Sequence, residues 1–570
     1  MNYHDIAEIV IVVGGMLVLS PALASHFEAV FGGKRHPLSF LGPVEAAFYR
    51  LARLDTEEMD WKAYAFSVLT LGLVSIAVLA AILMGQAFLP LNPRHFAGMR
   101  WDLALNTAIS FVTNTDWQSY SGESTLSYFS QAVGLAVQNF LSAAVGVSVA
   151  VAVIRGIVSR GQAGLGEKAG IGNFWVDMTK TVLYILLPLS IIVALILVSQ
   201  GVVQSLGDYV KFHALAAAGR GAGTASAARE GLIPLGPAAS QIAIKQLGTN
   251  GGGFFGQNST HPFENPTPLS NIVELLSLIL IPAALPLLFG RMTGRKRQGR
   301  AIFGVMFAVF ALCAIAAIGA ELHWGSLEGK ELRVGMSNST LWAVMTTMTS
   351  TGAVNAMHDS LAPLAGMIPL INLMLGEVIF GGVGSGLYGM FALVFIAVFI
   401  AGLMVGRGPE YLGKKIEARE VQLSMVAIVA PNFVILVFAA IAASVPQALA
   451  SLGNPGAHGL TEILYAFASA AGNNGSAFAG LSTNTYFWNL MLGAGMFIGR
   501  YGVILPILAA AGGLAGKKAV PESSGTFRTD NLIFGVLLFF VIFIVAGLTH
   551  FPALTLGPIL DHLGMVGAAR

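Results

Sequence analysis

The chain has 570 residues, of which 55% are hydrophobic and only 11% charged, and its mean hydropathy is +0.73. Soluble domains carry about 25% charged residues, so the composition excludes one and indicates an all-α polytopic membrane protein. A net charge of +2 is too small to recruit nucleic acid, and the single cysteine, Cys313, excludes a disulfide within the chain.

Crossing a bilayer takes about 20 apolar residues. Runs of that length occur at 5–27, 64–89, 130–155, 177–200, 269–290, 301–320, 366–406, 421–446, 484–512 and 531–553, which predicts ten spans. The first run ends near Ala22–Ala24, which resembles a signal-peptidase site. Its first basic residue is Lys34, so it lacks a basic leader and reads as a retained helix. The connections at 28–62, 155–176, 291–300, 407–420 and 513–530 hold 20 of the 31 Lys and Arg residues, and the four on the other side hold 8. By the positive-inside rule the basic loops are cytoplasmic, lipid surrounds the chain, and both termini lie outside.

Four connections on the outer side contain runs rich in hydroxyls, amides and glycine: SFVTNTDWQ (Ser110–Gln118), QLGTNGGGFF (Gln246–Phe255), TSTGAVN (Thr349–Asn355) and AGNNGSAF (Ala471–Phe478). Backbone this irregular is tolerated at membrane depth only where it is buried in protein or lines a wet cavity. Each run follows a short helix-compatible segment (Met99–Ile109, Pro237–Lys245, Asn338–Met348 and Thr461–Ala468) and precedes another span. The reading is four span–pore helix–strand–span units at 64–155, 177–290, 301–406 and 421–512, with extra helices at 1–30 and 531–553, all in one membrane domain spanning 1–570. Each unit has two spans, so all four point the same way. That parity suits units around a central pore better than the inverted repeats of many secondary transporters. Pore helices ending at the strands aim their negative dipole ends at the axis, which favours a cation.

The seventh run covers 41 residues and must be broken, most obviously at Gly381–Gly386, where a loop below the strands blocks a direct path. Glu377 and Arg500 are ionisable groups within apolar runs and need a partner or an aqueous path. Glu274 and Glu462 read as solvated structural residues near helix ends. His358 and Asp359 have no second metal ligand at helical spacing, so no transition-metal site is expected there. The Asn-x-Ser pattern at Asn474 lies inside a strand motif and is not read as a glycosylation site. Ala214–Glu230 is of low complexity and reads as a mobile loop.

The segments SFVTNTDWQSYSGE, LGTNGGGFFGQNSTHPFENPTPLSN, TGAVNAMHDS and GNNGSAFAGL resemble the potassium-binding A subunit of the bacterial Kdp potassium-transporting ATPases. The resemblance covers essentially the whole chain. It implies a bacterial inner-membrane protein that binds K+ from outside and passes it through an intramembrane tunnel to the P-type ATPase catalytic B subunit, with accessory C and F subunits. By position, the potassium filter comprises Thr113, Asn114 and Thr115; Thr249, Asn250 and Gly251; Ser350, Thr351 and Gly352; and Gly472, Asn473, Asn474 and Gly475. Asp116, where an amide is expected, and Gln118 are placed at the pore mouth. Asn258 and Asn265 are further candidates there. Glu377, Gly381, Gly382, Gly384 and Arg500 are gate or tunnel candidates. The first strand is expected to carry Asn114 where the third carries Gly352. No GxxxxGK[ST] or Asp-Lys-Thr-Gly motif occurs, so ATP use is assigned to a partner. A channel-like or ion-coupled potassium transporter without an ATPase is the alternative.

Overall fold

The computed structural model describes residues 3–159, 169–213, 230–404, 406, 408–521 and 527–568; the low-complexity stretch 214–229 lies outside them. Among the described residues, ten helices are long and apolar enough to cross a membrane: Tyr3–Phe31, Trp61–Phe88, Ser130–Val158, Phe174–Ser199, Pro268–Met292, Lys296–Trp324, Ser385–Met404, Ala418–Ser444, Tyr486–Ala515 and Leu532–Gly567.

Burial sorts these helices into two rings. The second span of each unit is 61–83% buried, whereas the first spans are 33–50% buried and the two terminal helices 17% and 22%. The inner spans accordingly carry small residues where backbones meet, as membrane packing requires. Gly146 of the first inner span has no room for a side chain, because a Cβ there would stand 2.0 Å from the Val383 carbonyl oxygen. The N-terminal helix lies against the inner span of the second unit, with Gly15 under Leu276, and Glu28 pairs with Arg291 at 3.2 Å.

Short helices Trp101–Val112, Ala238–Leu247, Gly335–Met348 and Gly456–Gly472 occupy the four predicted pore-helix positions. The fourth starts five residues before its predicted Thr461, at Gly456, just after Pro455. The long seventh run is broken, but earlier than Gly381. Helix Pro363–Met374 stops, Gly376, Glu377, Phe380, Gly381 and Gly384 adopt positive φ, and a new helix begins at Ser385. Glu377 is therefore a loop residue.

Candidate ion site

Past each pore helix the chain makes the same two left-handed turns. The first falls at Asn114 (φ 64°), Thr249 (46°), Ser350 (52°) and Asn473 (58°), and the second at Asp116 (55°), Gly251 (84°), Gly352 (81°) and Gly475 (91°). This aligns Thr113–Trp117 with Gly248–Gly252, Thr349–Ala353 and Gly472–Ser476, and it corrects the sequence register. Asn114 corresponds to Ser350, and it is Asp116 that stands where the other strands have glycine.

Between the two turns lie Thr115, Asn250, Thr351 and Asn474, all buried. Their N–H groups donate backwards into their own pore helices, to the carbonyls of Ser110 (2.9 Å), Lys245 (2.8 Å), Thr346 (3.0 Å) and Ser469 (2.9 Å). Their own carbonyls receive no hydrogen bond from any described residue. Buried carbonyls are nearly always paired, so four equivalent orphans mark a place built for a ligand.

The four strands form a closed cycle. A Cβ on Gly251 would stand 1.7 Å from the Thr351 oxygen, one on Gly352 2.2 Å from the Asn474 oxygen, and one on Gly475 1.7 Å from the Thr115 oxygen. At the remaining seam Asp116 has a real Cβ, and the glycine has moved across to Gly252, whose own Cβ would stand 3.0 Å from it. Side chains brace alternate units. Asn114 donates to the carbonyls of Gly248 (3.2 Å) and Thr249 (2.7 Å), and Ser350 donates to those of Gly472 (3.2 Å) and Asn473 (2.9 Å). Thr113 pairs with Thr115 at 2.8 Å and Thr349 with Thr351 at 2.7 Å, while the other two units have Gly and Asn at these positions. The fourfold ring is thus twofold in its chemistry.

On the pore-helix side, Trp117, Gln118, Tyr120, Glu462, Phe478 and Asn484 line a vestibule of about 400 Å³. Gln118 is bonded both ways to Gly253, through N–H to O at 3.0 Å and from N–H at 2.9 Å, and so ties the first strand to the second. Asp116 does not reach this mouth. Its carboxylate lies 3.0 Å from the side-chain amide of Asn139 and beside Gly252. Asn258 donates to the Gly251 carbonyl at 2.5 Å, so Gly251 contributes shape to the ring and its oxygen is already paired. Asn265 bonds Ser270 and Asn271 and takes no part.

Below the ring sits the 375–384 loop. Gly381 N–H donates to Met348 O at 2.9 Å, Val383 N–H to Thr249 Oγ1 at 2.9 Å, Gly382 has the Ser350 side chain beside it, and Gly384 abuts Gly146. Glu377 lies under Gly472. Glu377 and Arg500 form no ion pair; both line a cavity of about 40 Å³ with Tyr388, Asn432 and Asn473. A single water needs only about 10–15 Å³ by this measure, so the cavity has room for a few waters or an ion. Ser350 and Asn474 stand beside the Glu377 carboxylate but also donate to Gly472, Asn473 and Thr346, and Arg500 donates to Ser142 O at 3.0 Å, so Glu377 has no charged partner among the described residues.

Two sequence readings need correction. Glu274 and Glu462 are buried: Glu274 accepts from Gln246 (2.7 Å) and Ser259 (2.8 Å), and Glu462 from Asn454 (2.9 Å). Asp359 does have metal-type neighbours, His458 and Glu462, brought to it from about a hundred residues along the chain. Sequence reasoning also missed Lys245, which is wholly buried, pairs with Glu264 at 2.5 Å and donates to Asn258 at 2.8 Å. The signal was present, since Lys245 is the one lysine in any of the four pore helices.

The fold and site define a polytopic membrane protein of four parallel pore units around one buried oxygen-lined axis. The fold agrees with that of the potassium transporter TrkH from Vibrio parahaemolyticus, with a TM-score of 0.52 at 13% identity over 89% of this chain and 98% of that one. The profile of the family described as Potassium-transporting ATPase A subunit matches residues 10–563. Curated relatives named potassium-transporting ATPase potassium-binding subunit are 53% identical in Pseudomonas aeruginosa (99% of this chain, 100% of the relative) and 52% identical in Geobacter metallireducens (97% of each). The chain belongs to the Potassium-transporting ATPase A subunit family.

Proposed function

We propose that this chain selects K+ at the carbonyl ring and delivers it sideways to the catalytic subunit of a P-type ATPase in a bacterial inner membrane. The observation that carries the reading is the set of four buried, donor-free carbonyls of Thr115, Asn250, Thr351 and Asn474, one from each unit. Carbonyl oxygens can replace the water shell of a dehydrated cation, and the four pore-helix C-termini add negative potential. Thr113, Thr349 and the backbone carbonyls of Asn114 and Ser350 continue the oxygen lining below, while Thr249, Gly472 and Asn473, whose carbonyls accept from Asn114 and Ser350, shape it. The vestibule with Gln118 opens outside, both termini lie outside, and the basic loops face the cytoplasm. The 375–384 loop blocks a straight exit, and Glu377 and Arg500 line the turn towards the partner. Accessory C and F subunits complete the assembly.

The test is substitution at the seams. Replacing Gly352 by Asp or Gly251 by Ser puts a side chain against a ring oxygen and adds left-handed strain of about 1–2 kcal/mol. Either should raise the K+ concentration needed for growth and relax rejection of Rb+ and Na+. Unchanged affinity and selectivity in both variants would remove the ring assignment.

A further inference from the structure

On the pore-helix side, away from the axis, three elements distant in sequence meet at one imidazole. His458 and Glu462 stand at i and i+4 on the fourth pore helix, which puts them on one helix face. Asp359 comes from the short turn after the third strand, and its N–H donates to Phe478 O at 2.7 Å, tying it to the fourth strand. Asp561 comes from the C-terminal helix.

His458 Nε2 lies 2.7 Å from Asp359 Oδ1, and its Nδ1 lies 2.8 Å from Asp561 Oδ2. One ligand atom from each of Asp359, His458 and Glu462 falls within 4.8 Å of the others. Glu462 is wholly buried, yet no Lys or Arg pairs with it among the described residues; it accepts only from Gly453 N–H and the Asn454 amide. A buried carboxylate without a counter-charge is costly. Three carboxylates around one imidazole leave that cost unmet unless a second cation joins them. Gly480 packs against both carboxylates and holds them side by side: a Cβ there would stand 2.3 Å from Glu462 Oε1 and 3.0 Å from Asp359 Oδ1.

We propose that Asp359, His458 and Glu462 bind one divalent first-row transition-metal cation, of which Zn2+ is the best match. The mixed nitrogen and oxygen set suits that class rather than K+. Zn2+ sits about 2.0–2.2 Å from such ligands, a sphere these three atoms close around with small side-chain adjustments. Asp561 then plays the outer part. A carboxylate on the second nitrogen of a ligating histidine orients the ring and raises its basicity. The cation would thereby clasp the C-terminal helix to the third and fourth units, beside the vestibule that Glu462 also lines.

The experiment uses the full chain, purified with its copurifying subunits through a tag free of histidine. Metal content is measured by mass spectrometry, and unfolding temperature is measured with EDTA and then with added Zn2+ or Mn2+. The proposal predicts about one equivalent of metal per chain and a fall of several degrees on chelation that Zn2+ reverses. Glu462→Gln and His458→Asn should lose both the metal and the response to chelator. Asp561→Asn should keep the stoichiometry and weaken affinity about tenfold or more. Wild-type protein from zinc-supplemented medium that holds no metal, with an unfolding temperature indifferent to EDTA and Zn2+, would overturn it. So would retention of the metal by both ligand variants. Should those variants not fold, the chelation result on wild type still decides.

Discussion

Asp116 occupies the position that glycine holds in the other three strands, at φ 55°. Short polar residues are the non-glycine residues that visit this region most readily, and the glycine needed at the seam is supplied instead by Gly252. Because its carboxylate faces Asn139 and not the vestibule, Asp116→Asn should leave discrimination between K+ and Na+ unchanged in potassium-stimulated ATPase assays. Loss of discrimination would mean that the carboxylate touches the ion path. The motifs themselves were legible in the sequence as dense hydroxyl and amide runs. Their mutual register was not, because TNTD and TSTG align by composition in more than one way, and only the left-handed turns choose. Lys245 shows a related limit: a lysine looks like a helix end until its buried partner, Glu264, is located 19 residues away.

At the scale of elements, the broken seventh run was legible because 41 apolar residues exceed one span. The position of Glu377 inside the break was not, since the loop that holds it is fixed by contacts with Gly146, Thr249, Met348 and Gly472, one from each unit. Its unpaired carboxylate and the Arg500 guanidinium share a small cavity under the ring, so removing the charge should leave the fold intact. Glu377→Gln and Arg500→Met should assemble with the ATPase partner yet lose transport and potassium-stimulated hydrolysis several-fold. Normal transport in both would make the pair irrelevant to passage, and failed assembly would make it structural. A different element, the loop at Glu410–Lys415, supports the inner spans from the basic face. Lys414 is buried and donates to the carbonyls of Gly156 (2.9 Å) and Leu514 (2.6 Å), which end two inner spans. Burial, with Lys517 nearby, lowers its pKa from 10.5 to about 8. Between those values the unfolded chain holds more protons than the folded one, so this contribution to stability rises with pH across that window. The stability gap between wild type and Lys414→Met should therefore widen from pH 8 to pH 10; a narrowing gap would show that the ammonium form is the one the fold prefers.

For the whole molecule, parity carried the architecture. Two spans per unit force four parallel units, and the structure has them, with four buried inner spans and two peripheral terminal helices. The twofold chemistry within the fourfold ring, and the meeting of Asp359, His458 and Asp561 on the pore-helix side, arise from contacts between distant segments and leave no local pattern. The central claim is that Thr115, Asn250, Thr351 and Asn474 hold the selected ion through their carbonyl oxygens. Crystals of the complex soaked in Tl+, a potassium surrogate with a strong anomalous signal, test it most directly. The account predicts an anomalous peak on the axis within coordinating distance of all four oxygens, and its loss in Gly352→Asp. Tl+ bound elsewhere along the axis, with those four carbonyls empty of ion, would contradict it.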